Sequence, residues 1–595
     1  MVHVDFPFST ACSQDERTSL LDFKGGLKLS SGRLSSWIGF NCCEWEGVAC
    51  DYHTSHVIGL RLSADVSYIE ELTGEVHLKK SQFSGEIRPS LFNLHHLQHL
   101  DFSWNDFKGI SIPPQLSKLQ KLTFLSLSNA GFGGEVPLEL GNMSSLRHLD
   151  TLMHICWMLP ALSELLLGNN QLWGTIPDSI SKLASLKVLS LPSSGLRVCP
   201  PSVLGIEVLH YRRWFSCILS QQYQLKGLDL SGDNIVGSIP SSLWDLPNLS
   251  MLNLSNNQLE GSLPRQISHN FTVVDLHGNR LNGPLPALDF VSGILDLSDN
   301  EFNGCIPATI GTSSFLSLLV LDLSKNKLTG PIPANIGRCS KLLVLNLAQN
   351  FLQREIPQEL GNLEALHTLI LNGNRLQGTI PSSIANCTNL QVLGLGSNRF
   401  EGRIPVWFAK LTNLRILSLA CNKFRDRIPP QLFRLQNLQI LDLSGNQLSG
   451  SISPSVKKLY ATVNKSQIFD VQLTNYGNLH VVLDTIFELK FVDEVTVYIK
   501  GRATPYQKIV KADKFIDLSH NNLSGNIPSE LGLLRGLISL KISKNNLSGS
   551  IPKSLGAMAY LESLDLSENN LSGKIPSELL YLTFLEVRTL ISHVP

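Results

Sequence analysis

The chain has 595 residues, with 49 Lys+Arg against 49 Asp+Glu, so its formal net charge is zero. Charged residues make up only 16%, below the roughly 25% of an average soluble protein. Phosphate contacts need a basic excess that the total does not show, which argues against a nucleic-acid partner. No run of about 18 apolar residues occurs, so no segment reads as a membrane-spanning helix. Length alone suggests about four domains.

Residues 12–56 open the chain after an 11-residue tail. Ser13 and Glu16 have the spacing of a capping box at the start of a helix. Leu20, Leu21, Phe23 and Leu27 give that helix an apolar side. Downstream, one pattern recurs: Leu-x-x-Leu-x-Leu-x-x-Asn-x-Leu-x-Gly-x-Ile-Pro. Copies start at Leu318, Leu342, Leu366, Leu390, Leu414 and Leu438, each 24 residues after the last. Others begin near Leu97, Leu122, Leu146, Leu162, Leu186, Leu225 and Leu249, and again near Asp513, Leu537 and Leu561; weaker copies bring the count to about nineteen.

This is the leucine-rich-repeat signature. It implies an α/β repeat fold: a right-handed, curved solenoid with a parallel β-sheet on its concave face. Alternation in Leu321-Asp322-Leu323 places the leucines inward and Asp322 outward. A lone strand cannot bury its leucines, so adjacent coils must stack and share a core. Asn300, Asn326, Asn350, Asn374, Asn398, Asn422 and Asn446 fall where the chain turns off the strand. There their amides can satisfy backbone groups of the next coil as a ladder. Gly330, Gly378 and Gly402 supply freedom at the following bend. Ile332-Pro333, Ile380-Pro381 and Ile404-Pro405 each set an apolar plug before a rigid extended step. The solenoid spans 57–452, irregular at 146–161 and 197–224, and resumes over 513–584. Residues 585–595 read as an aborted repeat, because Arg588 and His593 stand where Leu and Asn are expected.

The Leu-x-Gly-x-Ile-Pro half resembles the plant class of leucine-rich repeats found in receptor-like kinases, receptor-like proteins and secreted polygalacturonase inhibitors. The cap resembles the plant leucine-rich-repeat N-terminal domain. It carries Leu20-Leu21-Asp22-Phe23-Lys24, Leu34-Ser35-Ser36-Trp37 and Cys42-Cys43-Glu44-Trp45-Glu46-Gly47-Val48-Ala49-Cys50. That resemblance implies the disulfides Cys12–Cys42 and Cys43–Cys50, hence an oxidising compartment. Met1–Thr10 lacks the features of a signal peptide, so the sequence is expected to be a mature or incomplete form. Cys199 and Cys217 are a further candidate pair; Cys305, Cys339, Cys387 and Cys421 are expected as core or surface thiols.

Nine Asn-x-Ser/Thr sequons suit a secreted glycoprotein: Asn142, Asn248, Asn253, Asn270, Asn386, Asn464, Asn522, Asn546 and Asn570. An insertion, 453–512, interrupts the repeats. Val495–Lys500 within it alternates as a strand should. In position it resembles the island of plant receptor ectodomains, which implies a ligand or co-receptor role for Lys500, Gly501, Arg502 and Tyr506.

No hydrolase elbow, metalloprotease helix, phosphate-binding loop or kinase loop occurs, and no cofactor or metal site is expected. Recognition is expected on the strand face, at Asp101, Ser103, Trp104, Asp275, His277, Asp296, Asp299, Asp322, Lys325, Asn372 and Asp442. The resemblance implies the ectodomain of a plant cell-surface receptor-like protein. Such a protein binds an extracellular peptide, protein or glycan ligand and signals through a co-receptor kinase in defence or development. The family's membrane anchor is missing from this chain, whose end reads as truncated. The alternatives are a secreted inhibitor of cell-wall-degrading enzymes and an intracellular scaffold.

Overall fold

The computed structural model describes residues 11–29, 33–70, 76–127, 130–133, 137, 139, 143, 145–150, 162–166, 185–190, 223–267, 269–288, 290–311, 317–459, 496–499, 502–505, 514–585 and 587–589. They form a leucine-rich-repeat solenoid with an N-terminal cap, and the chain divides into two compact units, 1–261 and 262–595.

The first unit begins with the helix Gln14–Gly26. Ser13 caps it by accepting the Glu16 N–H at 3.2 Å, and its own hydroxyl donates to the Glu16 carboxylate at 3.0 Å. Leu20 and Phe23 are fully buried. Disulfides join Cys12 to Cys42 and Cys43 to Cys50. Trp37 and Trp45 stack at 5.4 Å. Their indole N–H groups donate to the carbonyls of Glu46 and Ile38, so each buried ring has its polar atom satisfied. The strand Val48–Cys50 pairs antiparallel with Val57–Arg61 and so hands the cap over to the main sheet. Parallel strands then follow at His99–Asp101, Phe124–Ser126, His148–Asp150, Glu164–Leu166, Val188–Ser190, Gly227–Asp229 and Met251–Asn253. The shortened copy is real, because Glu164 pairs with His148, only 16 residues earlier. A hairpin of Asp65–Glu70 and Val76–Ser81 has no counterpart in the repeat pattern.

In the second unit the main sheet runs through Phe271–Asp275, Val291–Asp296, Val320–Asp322, Val344–Asn346, Thr368–Ile370, Val392–Gly394, Ile416–Ser418 and Ile440–Asp442. It continues through Phe515–Asp517, Ser539–Lys541, Ser563–Asp565 and Val587–Thr589. Strand Ile440–Asp442 pairs directly with Phe515–Asp517. The insertion therefore leaves and returns between adjacent coils without breaking the sheet.

Each coil turns at an asparagine. Asn374 Nδ2 donates to the carbonyls of Leu347 and Leu371 at 2.9 and 3.1 Å, and its Oδ1 accepts the Leu352 N–H at 3.0 Å. Asn300, Asn326, Asn350, Asn398, Asn422 and Asn446 repeat this pattern. The ladder thus bonds each coil to the one before it.

Beyond the turn lies a second parallel sheet that the repeat pattern does not announce. Its strands include Arg375–Gly378, Arg399–Arg403, Lys423–Arg427 and Gln447–Gly450. Gly330 follows Lys327–Thr329, a strand of a separate parallel sheet in the preceding coils, at φ +79°, where a Cβ would meet Cys305 Sγ at 2.6 Å. The Ile-Pro step follows: Ile332 is 3% exposed, and Pro333, at φ −67°, leads into the 3-10 helix Ala334–Arg338. Among the described residues the helix of the cap is the one α-helix. The repeats themselves use 3-10 turns, because five residues are too few to propagate an α-helix.

Two boundaries differ from the sequence expectation. Residues 453–459 belong to the solenoid, since Pro454–Lys458 forms the coil's regular 3-10 helix. The insertion therefore begins after Leu459. Residues 585–595 are not wholly an aborted repeat, since Val587–Thr589 adds a strand with Arg588 opposite Leu564. Within the insertion, Thr496–Ile499 is a strand, paired antiparallel with Arg502–Pro505.

Replacing Asn374 by Ala leaves a buried N–H and two carbonyls without their partner, at about 1–3 kcal/mol for each unsatisfied group. Equilibrium denaturation should show Asn374→Ala less stable by about 3 kcal/mol. An unchanged midpoint would contradict the structural role of the ladder.

Candidate ligand-binding face

Because the main-sheet strands are parallel and in register, equivalent positions of successive coils form rows. The central leucines point inward and their flanking residues outward. One outward row in the second unit reads Asp275, Asp296, Asp322, Asn346, Ile370, Gly394, Ser418, Asp442, Asp517, Lys541 and Asp565.

Its acids have a local duty first. The carboxylates of Asp275, Asp296, Asp322, Asp442, Asp517 and Asp565 each accept the backbone N–H two residues on, at 2.8–3.1 Å. They therefore brace the exit from the strand. Three of them sit together at one end. Asp275 is 4% exposed, and its Oδ1 receives His277 Nδ1 at 2.8 Å. Ligand atoms of Asp275, His277 and Asp296 lie within 4.8 Å of one another, close enough to share a proton or a cation.

Burial disfavours the charged imidazole of His277. The hydrogen bond and charge of Asp275, helped by Asp296 and Asp322, outweigh that cost and raise it to about 9. Burial, together with the charges of Asp322 and Asp275, pushes the Asp296 carboxyl well above its ordinary range. Farther along, Asp442 is pushed up to about 6 by burial and by Asp517. Asp517 is itself raised by burial, against the opposing pull of the Ser519 bonds and of Lys541 at 4.0 Å. Ala348, Ile370, Val392, Ile416, Ile440 and Phe515, all no more than 5% exposed, form a buried apolar cluster that reaches the strands of Asp442 and Asp517.

Several expected site residues have other duties. Ser103 is buried, and Trp104, Asp299 and Lys325 occupy left-handed backbone at φ 63°, 52° and 52°. These three are corner residues ahead of the turn asparagine rather than strand positions. Asp101, whose Oδ1 accepts the Ser103 N–H at 2.9 Å, belongs to the first unit. Asn372 Oδ1 accepts the Gly396 N–H at 2.8 Å and ties two coils together. Asp517, Lys541 and Asn346 escaped the sequence reading. Their signal was the outward letter of each copy.

Lys500, Gly501 and Tyr506 lie outside the described residues, as do Asn142, Asn464, Cys199 and Cys217. Arg502 opens the second strand of the insertion's hairpin. Asn248, Asn270, Asn386, Asn522, Asn546 and Asn570 are exposed. Asn253, by contrast, is 7% exposed, and its Oδ1 accepts the Ser255 N–H. Cys339 and Cys387 are buried free thiols, raised to about 11 by burial, while Cys305 and Cys421 are exposed.

The leucine-rich-repeat N-terminal domain matches residues 13–51. Leucine-rich-repeat regions match 93–110, 161–183, 248–270, 298–460, 514–534, 536–558 and 560–582. Receptor-like protein EIX1 of Solanum lycopersicum is 35% identical over 289 residues, covering 46% of this chain and 25% of that protein. Receptor-like protein 6 of Arabidopsis thaliana is 31% identical over 298 residues, covering 46% and 26%. The chain is a leucine-rich-repeat protein similar to plant receptor-like proteins. The matches span about a quarter of each of these relatives' own length.

Among solved structures, the PEPR1–AtPEP1 complex matches with TM-score 0.63 and 26% identity, covering 97% of this chain and 78% of that one. The ectodomain of the Arabidopsis receptor kinase HAESA, in complex with an N-terminally extended IDA peptide hormone, matches with TM-score 0.59 and 27% identity. That match covers 96% and 92%. Among the described residues of this leucine-rich-repeat protein, no helix is long and apolar enough to cross a membrane.

The buried ionisable groups of the face set the pH dependence of stability. His277 is raised above its unfolded value, so its contribution is complete below about pH 6.5 and is lost as pH climbs toward about 9. Asp442 is a raised carboxyl, so its ionisation opposes folding at neutral pH and is relieved as pH falls through about 6. The lowered acids, such as Glu301 beside Lys327, lose their contribution only below about pH 4. Thermal melting should therefore give a higher midpoint at pH 5.5 than at 8.5. Asp442→Asn should flatten the lower part of that slope and His277→Gln the upper part. A flat or reversed profile in the unmodified protein would contradict the assignment. Glycopeptide mapping of secreted protein should find Asn253 unmodified.

Proposed function

We propose that this chain is the ligand-reading ectodomain of a plant cell-surface receptor-like protein. It binds an extracellular peptide, protein or glycan on the outward rows of the main sheet, and it signals through a partner receptor kinase in defence or development. The observation that carries this reading is chemical variation on a fixed frame. Leucines repeat in every coil, whereas one outward row passes from three clustered carboxylates, through Ile370 and Gly394, to Asp442, Asp517 and Lys541. The similarity to the HAESA ectodomain, solved with a peptide hormone, adds support. Insertion residues Lys500, Gly501, Arg502 and Tyr506 are proposed as a second contact region, used together with the coils that follow.

The test is a peptide and glycan array probed with secreted ectodomain. A ligand selected there should bind at least about tenfold more weakly to Asp322→Arg or Asp517→Arg, a loss of about 1.4 kcal/mol. Glu401→Arg, on the second sheet, should bind it normally. Equal binding by both main-sheet variants would reject the proposed surface.

A further inference from the structure

The second sheet of the second unit carries a concentration of charge that the ligand-reading role does not use. Three consecutive strands, Arg375–Gly378, Arg399–Arg403 and Lys423–Arg427, hold six cations: Arg375, Arg399, Arg403, Lys423, Arg425 and Arg427. Only Glu401 and Asp426 oppose them, in a chain whose total charge is balanced. On one side the sheet begins with Gln353–Arg354, which adds Arg354; on the other, Gln447–Gly450, Asn522–Asn526, Asn546–Gly549 and Asn570–Leu571 carry no charge at all. All six cations are exposed.

The repeat does not need them. Its fixed letters here are the buried Leu or Phe, the glycine and the Ile-Pro step, and the cations occupy the variable positions between. Part of their arrangement is unfavourable by itself, although Glu401 is the register partner of Lys423. Arg403 and Arg425 are direct register partners, and like charges opposite one another in a sheet destabilise it. Arg403 has Asp426 at 2.7 Å, whereas Arg399, Lys423, Arg425 and Arg427 form no ion pair among the described residues. Arg375 lies over the Phe351 ring at 4.8 Å, which holds its guanidinium outward.

We propose that this patch is a binding surface for an extended anionic polysaccharide, with its carboxylates set along the arginine rows. Strands about 4.8 Å apart repeat the cations at a spacing suited to a polymer that repeats its charge. Guanidinium groups accept carboxylates in paired hydrogen bonds. An acidic protein partner fits less well, because protein interfaces centre on a buried apolar anchor and these rows are charged and exposed throughout. Nucleic acid is disfavoured by the absence of exposed aromatic rings interleaved with the cations on these strands.

The test uses secreted ectodomain and immobilised polygalacturonate at low ionic strength, with a neutral glucan as reference. Retention is expected on polygalacturonate alone, falling at least about tenfold between 50 and 200 mM salt. The triple variant Arg399→Gln/Lys423→Gln/Arg425→Gln is expected to lose at least about tenfold in affinity, with single variants losing less. These side chains are exposed, so the thermal midpoint should hold. A control that removes equal charge elsewhere, Lys327→Gln/Lys457→Gln/Lys458→Gln, should bind as the original does. Equal retention of the triple variant would overturn the proposal, as would equal binding to neutral glucan. Tighter capture by polyglutamate than by polygalacturonate would overturn it in favour of an acidic protein partner.

Discussion

The rest of the molecule depends on the bond from each turn asparagine to the coil before it. Asn326, Asn350, Asn374 and Asn398 each take two carbonyls and one N–H that would otherwise be buried without partners. A coil joined to its neighbour in this way cannot slip, because any shift would orphan the neighbour's carbonyl and N–H at once. Stacked leucines supply the apolar area, but area is tolerant of small displacements. The amide ladder is directional, and it fixes the register.

Fixed register turns a sequence repeat into surfaces. Equivalent letters of successive coils line up, so a row acts as a unit even when its members are 21 or 26 residues apart, as Asp275, Asp296 and Asp322 are. In this way three ordinary strand-exit acids become a coupled cluster with His277. Arginines that would be unremarkable singly become a positive field on the second sheet. The two sheets of one coil therefore carry different chemistry, and evolution can alter either without moving a leucine.

Much of the architecture was legible in the sequence. The 24-residue period gave the stacked coils, Asn374 and its equivalents gave the ladder, and the paired landmarks of the cap gave its helix. What stayed hidden was whatever depends on neighbouring coils rather than on one. The second sheet forms because segments such as Arg399–Arg403 lie beside each other, and no single copy alternates strongly enough to announce a strand. The candidate site was half legible. Asp275, His277, Asp296, Asp322 and Asp442 were named, but Trp104, Asp299 and Lys325 turned out to be corners whose left-handed backbone precedes the asparagine. Asp517 and Lys541 stand in copies that were counted, near Asp513 and Leu537, but only the pairing of Ile440–Asp442 with Phe515–Asp517 puts them in one row with Asp442.

Native-state hydrogen exchange on the secreted ectodomain tests the ladder most directly. The amides of Leu352, Leu376, Phe400 and Phe424 each donate to the asparagine of the next coil. They should exchange as slowly as the main-sheet amides of Leu369 and Leu393, at the limit set by global unfolding. Fast exchange at those four positions, with the main sheet still protected, would show that the asparagines do not hold the coils in register.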